Sequence, residues 1–367
     1  MAINVYIHVG PPKTGTSAIQ NWLQANNQVL LEHGIYYPAH AMDENGVSSG
    51  NLLALFDRDD DKNLTFNVSK ATSVLKDAQA RGASALLLSS EFFFKRLTPV
   101  LDFFPGARVI AYLRDPLEVI ESGYNQGVKR HYQTKKLKVA KAPRTPTLDL
   151  LAEQVRQFGA DSFILRPYDF SLFHGGDLVS DFLSVFSLAK LHESQSPIIN
   201  SSYVFEAMEF KRWFNHIQHQ PLHRALDRFL QGYTAGTAKY SLLSAKKRTA
   251  LRAFFNKRLK TFVDEFAVPE GEQFIEALNS KAPKPYKKQE IRESEFEALL
   301  LEFLDASESV VVHLLNIYKD PVPDSLQQSA YYPTFEKVMA AYDKKYKKRL
   351  KWQKLRSVGS KLLPKSW

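Results

Sequence analysis

A chain of 367 residues with 44% hydrophobic content can build one large α/β domain with an added helical part, or two domains. It contains no cysteine, which excludes disulfides, thiolate catalysis and cysteine-ligated metals. The net charge of +10 lies wholly beyond residue 336: residues 337–367 hold nine Lys, two Arg and one acid, while the remainder balances 38 basic against 38 acidic residues, unlike a generic nucleic-acid binder.

In chain order, the apolar run Ile3–Val9 predicts a first strand. A strand starting there leaves no room for a charged and apolar leader, and no run of about 18 apolar residues follows, so the expected location is cytoplasmic. The turn Gly10-Pro11-Pro12-Lys13-Thr14-Gly15-Thr16-Ser17 joins this strand to a helical pattern over Thr16–His33. A strand, a glycine turn and a helix N-terminus form a phosphate cradle, because backbone N–H groups converge there and the helix dipole adds positive charge. In a nucleoside-triphosphate P-loop the lysine directly follows the second glycine. Here Thr16 holds that position, and Lys13 stands two residues before Gly15.

A helix is expected over Val68–Arg81 and a strand over Ser84–Ser89, with Asp57–Lys62 read as an acidic surface loop. Glu91 then falls at the carboxyl end of the second strand, facing the same crevice as the loop. A third strand, Arg108–Leu113, ends at Arg114. Asp115 and Pro116 start the helix Pro116–Arg130, with an acceptor at the N-cap and proline at the first position. Arg114 therefore sits at a strand's carboxyl end, and Ser122 about two turns into the helix. A guanidinium with a hydroxyl suits a terminal phosphate monoester, since the fork binds two oxygens at once. Residues 129–144 hold seven Lys or Arg and no acid. That run is read either as a solvated loop or as an electrostatic guide for an anionic acceptor, with Tyr124 and Tyr132 as stacking candidates.

A helix over Thr147–Phe158 and a strand over Ser162–Leu165 complete the alternation, which predicts a parallel sheet with helices on both faces. Beyond Asp177 the pattern is helical: Leu178–Phe186, Tyr203–His219, Ser244–Phe266 and Ser294–Tyr318, with Ala282–Lys288 as an exposed connector. The tail mixes Lys and Arg with Tyr342, Tyr346, Leu350, Trp352 and Leu355, and is read as a solvated segment or as a peripheral contact with an anionic membrane through residues 337–365.

Pro12-Lys13-Thr14-Gly15-Thr16-Ser17 resembles the 5′-phosphosulfate loop of sulfotransferases that use 3′-phosphoadenylyl sulfate (PAPS), in wording nearest the carbohydrate (heparan-type) branch. Arg114 with Ser122 resembles the 3′-phosphate site of the same family. The segments Phe163–Phe170 and Asp177–Phe186, and the run Asn200-Ser201-Ser202, are similar to later parts of bacterial sulfotransferases, so the resemblance spans roughly residues 3–215. One departure is the lack of an Arg-Lys-Gly run near the C-terminal end, which cytosolic members use around the nucleotide.

The resemblance implies an α/β fold with a P-loop-type parallel sheet flanked by helices and a helical C-terminal part. The implied division is a PAPS-binding core over 1–200, a helical acceptor-side region over 201–335 and a basic tail over 336–367. It implies a bacterial, cytoplasmic enzyme that moves a sulfuryl group from PAPS to a hydroxyl or amine of a carbohydrate or glycolipid, anionic ones included, without a metal and with PAP as product. Pro12, Lys13, Thr14, Gly15, Thr16, Ser17, Arg114 and Ser122 would bind the donor, and Lys13 would stabilise the leaving 5′-phosphate. Glu91 matches the glutamate base of heparan-type members. Ser89 and Ser90 are secondary candidates for hydrogen bonds, and His8 and His131 rank below Glu91 as bases. Two other classes stay open: a P-loop NTP-dependent, kinase-like enzyme, and a non-catalytic glycan- or membrane-binding protein on the same scaffold.

Overall fold

The structure is a computed structural model that describes residues 3–40, 48–192 and 203–359, the last eleven of these through their backbone alone. Seven strands are present among them: β1 (Asn4–His8), β2 (Ile35–Tyr36), β3 (Phe56–Arg58), β4 (Leu64–Phe66), β5 (Ala85–Ser89), β6 (Arg108–Leu113) and β7 (Phe163–Pro167). Five of them make one parallel sheet in the order β2-β5-β1-β6-β7, and β3 and β4 pair as an antiparallel hairpin.

The helices of the first 192 residues are α1 (Thr16–Ala25), α2 (Asn27–Glu32), α3 (Val68–Ala80), α4 (Leu97–Phe103), α5 (Pro116–Arg130), α6 (Pro146–Phe158) and α7 (Leu178–Ser184). They are followed by α8 (Phe205–Phe214), α9 (Gln220–Gly232), α10 (Ala245–Phe266), α11 (Gly271–Ser280), α12 (Glu293–Ala306), α13 (Glu308–Lys319), α14 (Asp324–Gln327) and α15 (Tyr332–Gly359).

The period of two along the strands sorts side chains onto two faces. Ile7, Leu86, Leu88, Val109 and Leu165 join one core with residues of α3, α4, α6, α10 and α11. Their neighbours Leu87, Ile110 and Tyr112 join another with α1, α2 and α7. Burial on both sides explains why β5 and β6 read as unbroken apolar runs rather than alternating ones.

The chain forms two compact units. The first gathers Met1–Ser122, Val139–Pro197 and Lys246–Ala282; the second gathers Gly123–Lys138, Ile198–Ala245 and Pro283–Trp367. The stretch 201–335, read above as one region, is thus shared out: α10 and α11 place Leu259, Phe262 and Phe274 in the sheet's core. The second unit is helical and centres on Phe210, Trp213, Phe214, Phe296, Phe303 and Phe335. The boundary at 336 falls inside α15, whose Val338 and Met339 are buried in that core.

Some expected elements are subdivided. The pattern Thr16–His33 breaks at Asn26, whose side chain donates to the Trp22 carbonyl at 2.8 Å and closes α1. Ser294–Tyr318 breaks at Ser307, which accepts from the Val310 N–H and starts α13. Asp57–Lys62 is part of the β3–β4 hairpin rather than a plain loop. Among the described residues no helix is long and apolar enough to cross a membrane. The run Asn200-Ser201-Ser202 lies outside the described residues.

Candidate active site

β5 and β6 flank β1 in register, so the chain leaving all three strands opens on one edge of the sheet. That edge is where open α/β sheets bind ligands. The loop after β1 turns through left-handed backbone at Gly10 (φ +45°), Lys13 (φ +72°) and Gly15 (φ +74°). A Cβ on Gly10 would lie 2.1 Å from Thr16 Oγ1, and one on Gly15 would lie 2.2 Å from Leu178 Cδ2. Both glycines are therefore required by φ, and a Cβ at either would also force a neighbouring side chain to move. Gly15 caps α1 without a side-chain hydrogen bond, and the first turn carries no acid. The positive end of α1 is thus left for an anion from outside the helix.

The loop residues divide by role. Pro12 and Ser17 are exposed, Gly15 is half-buried, and Thr14 and Thr16 are buried. Thr14 was expected to donate to a phosphate, but its hydroxyl and its N–H both turn back to the Pro11 carbonyl, at 2.6 and 3.2 Å. Thr14 shapes the turn instead. Thr16 Oγ1 is buried near the Glu91 carboxyl, and its lowering influence on that group's pKa is outweighed by burial.

Lys13 and Glu91 face one another electrostatically. Burial lowers the Lys13 pKa, Glu91 pulls it up, and Arg114 pushes it down again, with the lowering dominant. Glu91 opens the short turn Glu91–Lys95 after β5, which Ser90 caps through the Phe92 N–H. It keeps a solvent-accessible face, but the protein packed around it raises its carboxyl pKa against the opposing pull of Lys13 and the Thr16 hydroxyl. A carboxylate raised in this way is a better proton acceptor than a solvated one.

Arg114, at the end of β6, donates to the Lys13 carbonyl, which ties the two sequence motifs together directly. It is not the open fork the sequence suggested. Its Nε and Nη2 are engaged by the Glu118 carboxylate at 3.3 and 3.2 Å, and its guanidinium lies 4.8 Å over the Tyr168 ring. Ser122 is half-buried one turn beyond Glu118, on the same helical stripe.

Three contributors, Glu118, Lys281 and Arg252, were not singled out from the sequence. Lys281, at the end of α11, reaches Glu118 at 3.2 Å and Asp169 at 2.7 Å. Burial alone would raise the Glu118 pKa, but Lys281 and Arg114 outweigh it and hold the carboxyl below its usual range. Arg252 of α10 grips the buried Asp115 at 3.0 and 2.7 Å, fixing the residue that caps α5 through the Leu117 N–H. Nothing local marks Lys281 or Arg252, since their partners lie more than a hundred residues away. Glu118 was legible, four residues after Arg114.

Other candidates leave the site. His8 is fully buried, shares a hydrogen bond with Ser89 at 2.8 Å, packs on Phe182, and burial drops its pKa to about 3. Ser89 is buried and accepts from Gln20 as well, while Ser90 donates to the Ser49 carbonyl at 2.6 Å. All three build the core rather than the crevice. His131 belongs to the second unit, and so do Tyr124, which donates to the Lys135 carbonyl, and Tyr132, which packs edge-on against His223.

These features define an α/β protein with a five-stranded parallel sheet flanked by helices. Comparison with protein-family models, with curated proteins and with solved structures finds no match for this chain.

Proposed function

We infer that the chain is a PAPS-dependent sulfotransferase acting on a hydroxyl or amine of a carbohydrate or glycolipid. The observation that carries this reading is the meeting of Lys13, Glu91 and Arg114 at the carboxyl ends of three adjacent parallel strands. A strand-loop-helix cradle with two required glycines and an uncapped helix start fits a 5′-phosphosulfate. Arg114 beside Tyr168 and Lys281 fits a second anion, provided that anion displaces Glu118 from the guanidinium.

In that reading the acceptor oxygen or nitrogen attacks sulfur, and Glu91 takes the proton it loses. The bond from sulfur to the bridging phosphate oxygen breaks, and its electron pair leaves on that oxygen. Lys13 and the N–H groups of the first turn of α1 then stabilise a charge that is larger in the transition state than before it. An NTP-dependent enzyme is the weaker reading, because the residue in the lysine position of that motif, Thr16, is buried against Gly10.

Thermal unfolding with PAP and with ATP-Mg²⁺ separates the two. PAP at a hundredfold excess over its Kd should stabilise by about 2.7 kcal/mol. The Lys13→Ala variant should lose most of that gain and about 10²–10³ in turnover. Stabilisation by ATP-Mg²⁺ with none from PAP overturns the reading.

A further inference from the structure

A cavity of about 200 Å³ opens beside the phosphate loop within the first unit, and neither Lys13 nor Glu91 lines it. Its walls come from Pro12, Leu113, Val119, Ile120, Leu151 and Phe255, so four separate elements and the loop all present apolar surface. Most hydroxyls at its edge are already committed: Thr14 donates to the Pro11 carbonyl, Thr145 to Asp149 at 3.0 Å and Tyr112 to Asp181 at 2.7 Å, which leaves only that of Thr147 among the lining residues. A sugar ring placed there would strand several hydroxyls without partners, at a cost that disfavours it. Water gains little in such a site for the same reason.

Two cations stand at the cavity. Arg114 commits three of its five N–H groups to Lys13 and Glu118. Arg144 lines the same cavity, is exposed, and pairs with no carboxylate among the described residues. It is the last basic residue of the run 129–144, which the donor-site reading leaves without a task.

We propose that this cavity binds an aryl carboxylate, with the ring against Val119, Leu151 and Phe255 and the carboxylate on Arg144. The size agrees, since a dry cavity of about 150 Å³ already holds a benzene ring. The remaining space admits one small substituent. A planar guanidinium matches the carboxylate by a paired hydrogen bond, so Arg144 selects a flat anion over a neutral ring of equal shape. This binding does not depend on sulfuryl transfer, and its test requires no turnover.

The full chain is titrated by calorimetry with 4-methylbenzoate and with the neutral 4-methylbenzamide. The carboxylate should bind about tenfold more tightly than the amide, and Arg144→Ala should erase that difference while the protein keeps its melting temperature. Val119→Trp, which fills the cavity, should abolish both; Arg144 lies at the surface, so its variant remains decisive if the filled cavity misfolds. Adenosine at saturating concentration should leave the benzoate affinity unchanged. Equal affinity for the two probes, no binding of the benzoate, or its displacement by adenosine overturns the proposal, the last by giving the cavity to a nucleobase.

Discussion

Glu91 and Lys13 sit opposite one another, but the pair is not balanced. Burial is the largest influence on each, lowering the Lys13 pKa and raising that of Glu91. A carboxyl raised on folding contributes stability that is complete below its unfolded pKa and is lost as pH rises through the folded value. Glu91 therefore opposes folding at neutral pH, which agrees with its proposed role as a base. The Glu91→Gln variant should melt higher than the parent at pH 7, with the gap closing below about pH 4. Its turnover should drop by about 10²–10⁴. Equal melting temperatures at both pH values would show that Glu91 is not destabilised. His8 acts in the opposite range: its folded pKa of about 3 means the unfolded chain takes up a proton first, so stability falls as the medium is acidified below the usual histidine value of 6.5.

At the scale of elements, the loop between β1 and α1 depends on two separate demands at Gly15: a left-handed φ and the absence of a Cβ beside Leu178. Gly82 provides a clean comparison, with a similar φ of +71° and nothing within 4 Å of an added Cβ. Gly82→Ala should cost about 1–2 kcal/mol from the backbone alone. Gly15→Ala should cost more in a denaturant titration and should also weaken PAP binding. Equal costs would mean that Leu178 gives way freely. The same contrast explains what the sequence makes legible. The parallel strands and the helix at Pro116 were readable because apolar runs and capping residues are local signals. β2 is only two residues long, and its place beside β5 comes from a distant pairing. α9 is absent from the sequence reading although Leu222, Leu226 and Leu230 repeat every fourth residue and Pro221 stands in its first turn. In the site, Lys13 was singled out by the glycine turn after β1, and Arg114 and Glu91 by their places just after β6 and β5. Lys281 and Arg252 were not, because each works through a partner set by tertiary packing.

At the scale of the whole molecule, the basic tail and the second unit share one helix. In α15, Lys337 pairs with Glu297 at 3.3 Å, and Asp343 with Lys319 at 2.8 Å, while Val338 and Met339 fill the core. A chain ending at Glu336 should therefore lose stability by about 2–5 kcal/mol, from the loss of buried apolar side chains. One ending at Lys348 should melt with the parent. Peripheral membrane contact through the remaining basic residues is tested on that second variant: the parent should sediment with anionic vesicles and the variant should not, and equal sedimentation removes the idea. The interleaving of the two units has a further consequence for biosynthesis. The sheet face that presents Leu86, Leu88 and Val109 is covered in part by Leu259, Phe262 and Phe274, which are translated well over a hundred residues later. At roughly 5–20 residues per second, a nascent chain holds that face open for several seconds or more. During that interval residues 203–245, which belong to the other unit, leave the ribosome ahead of the partners that complete their core. Order of synthesis and order of closure run against each other here, which makes the half-made chain, rather than the finished protein, the species most in need of a chaperone.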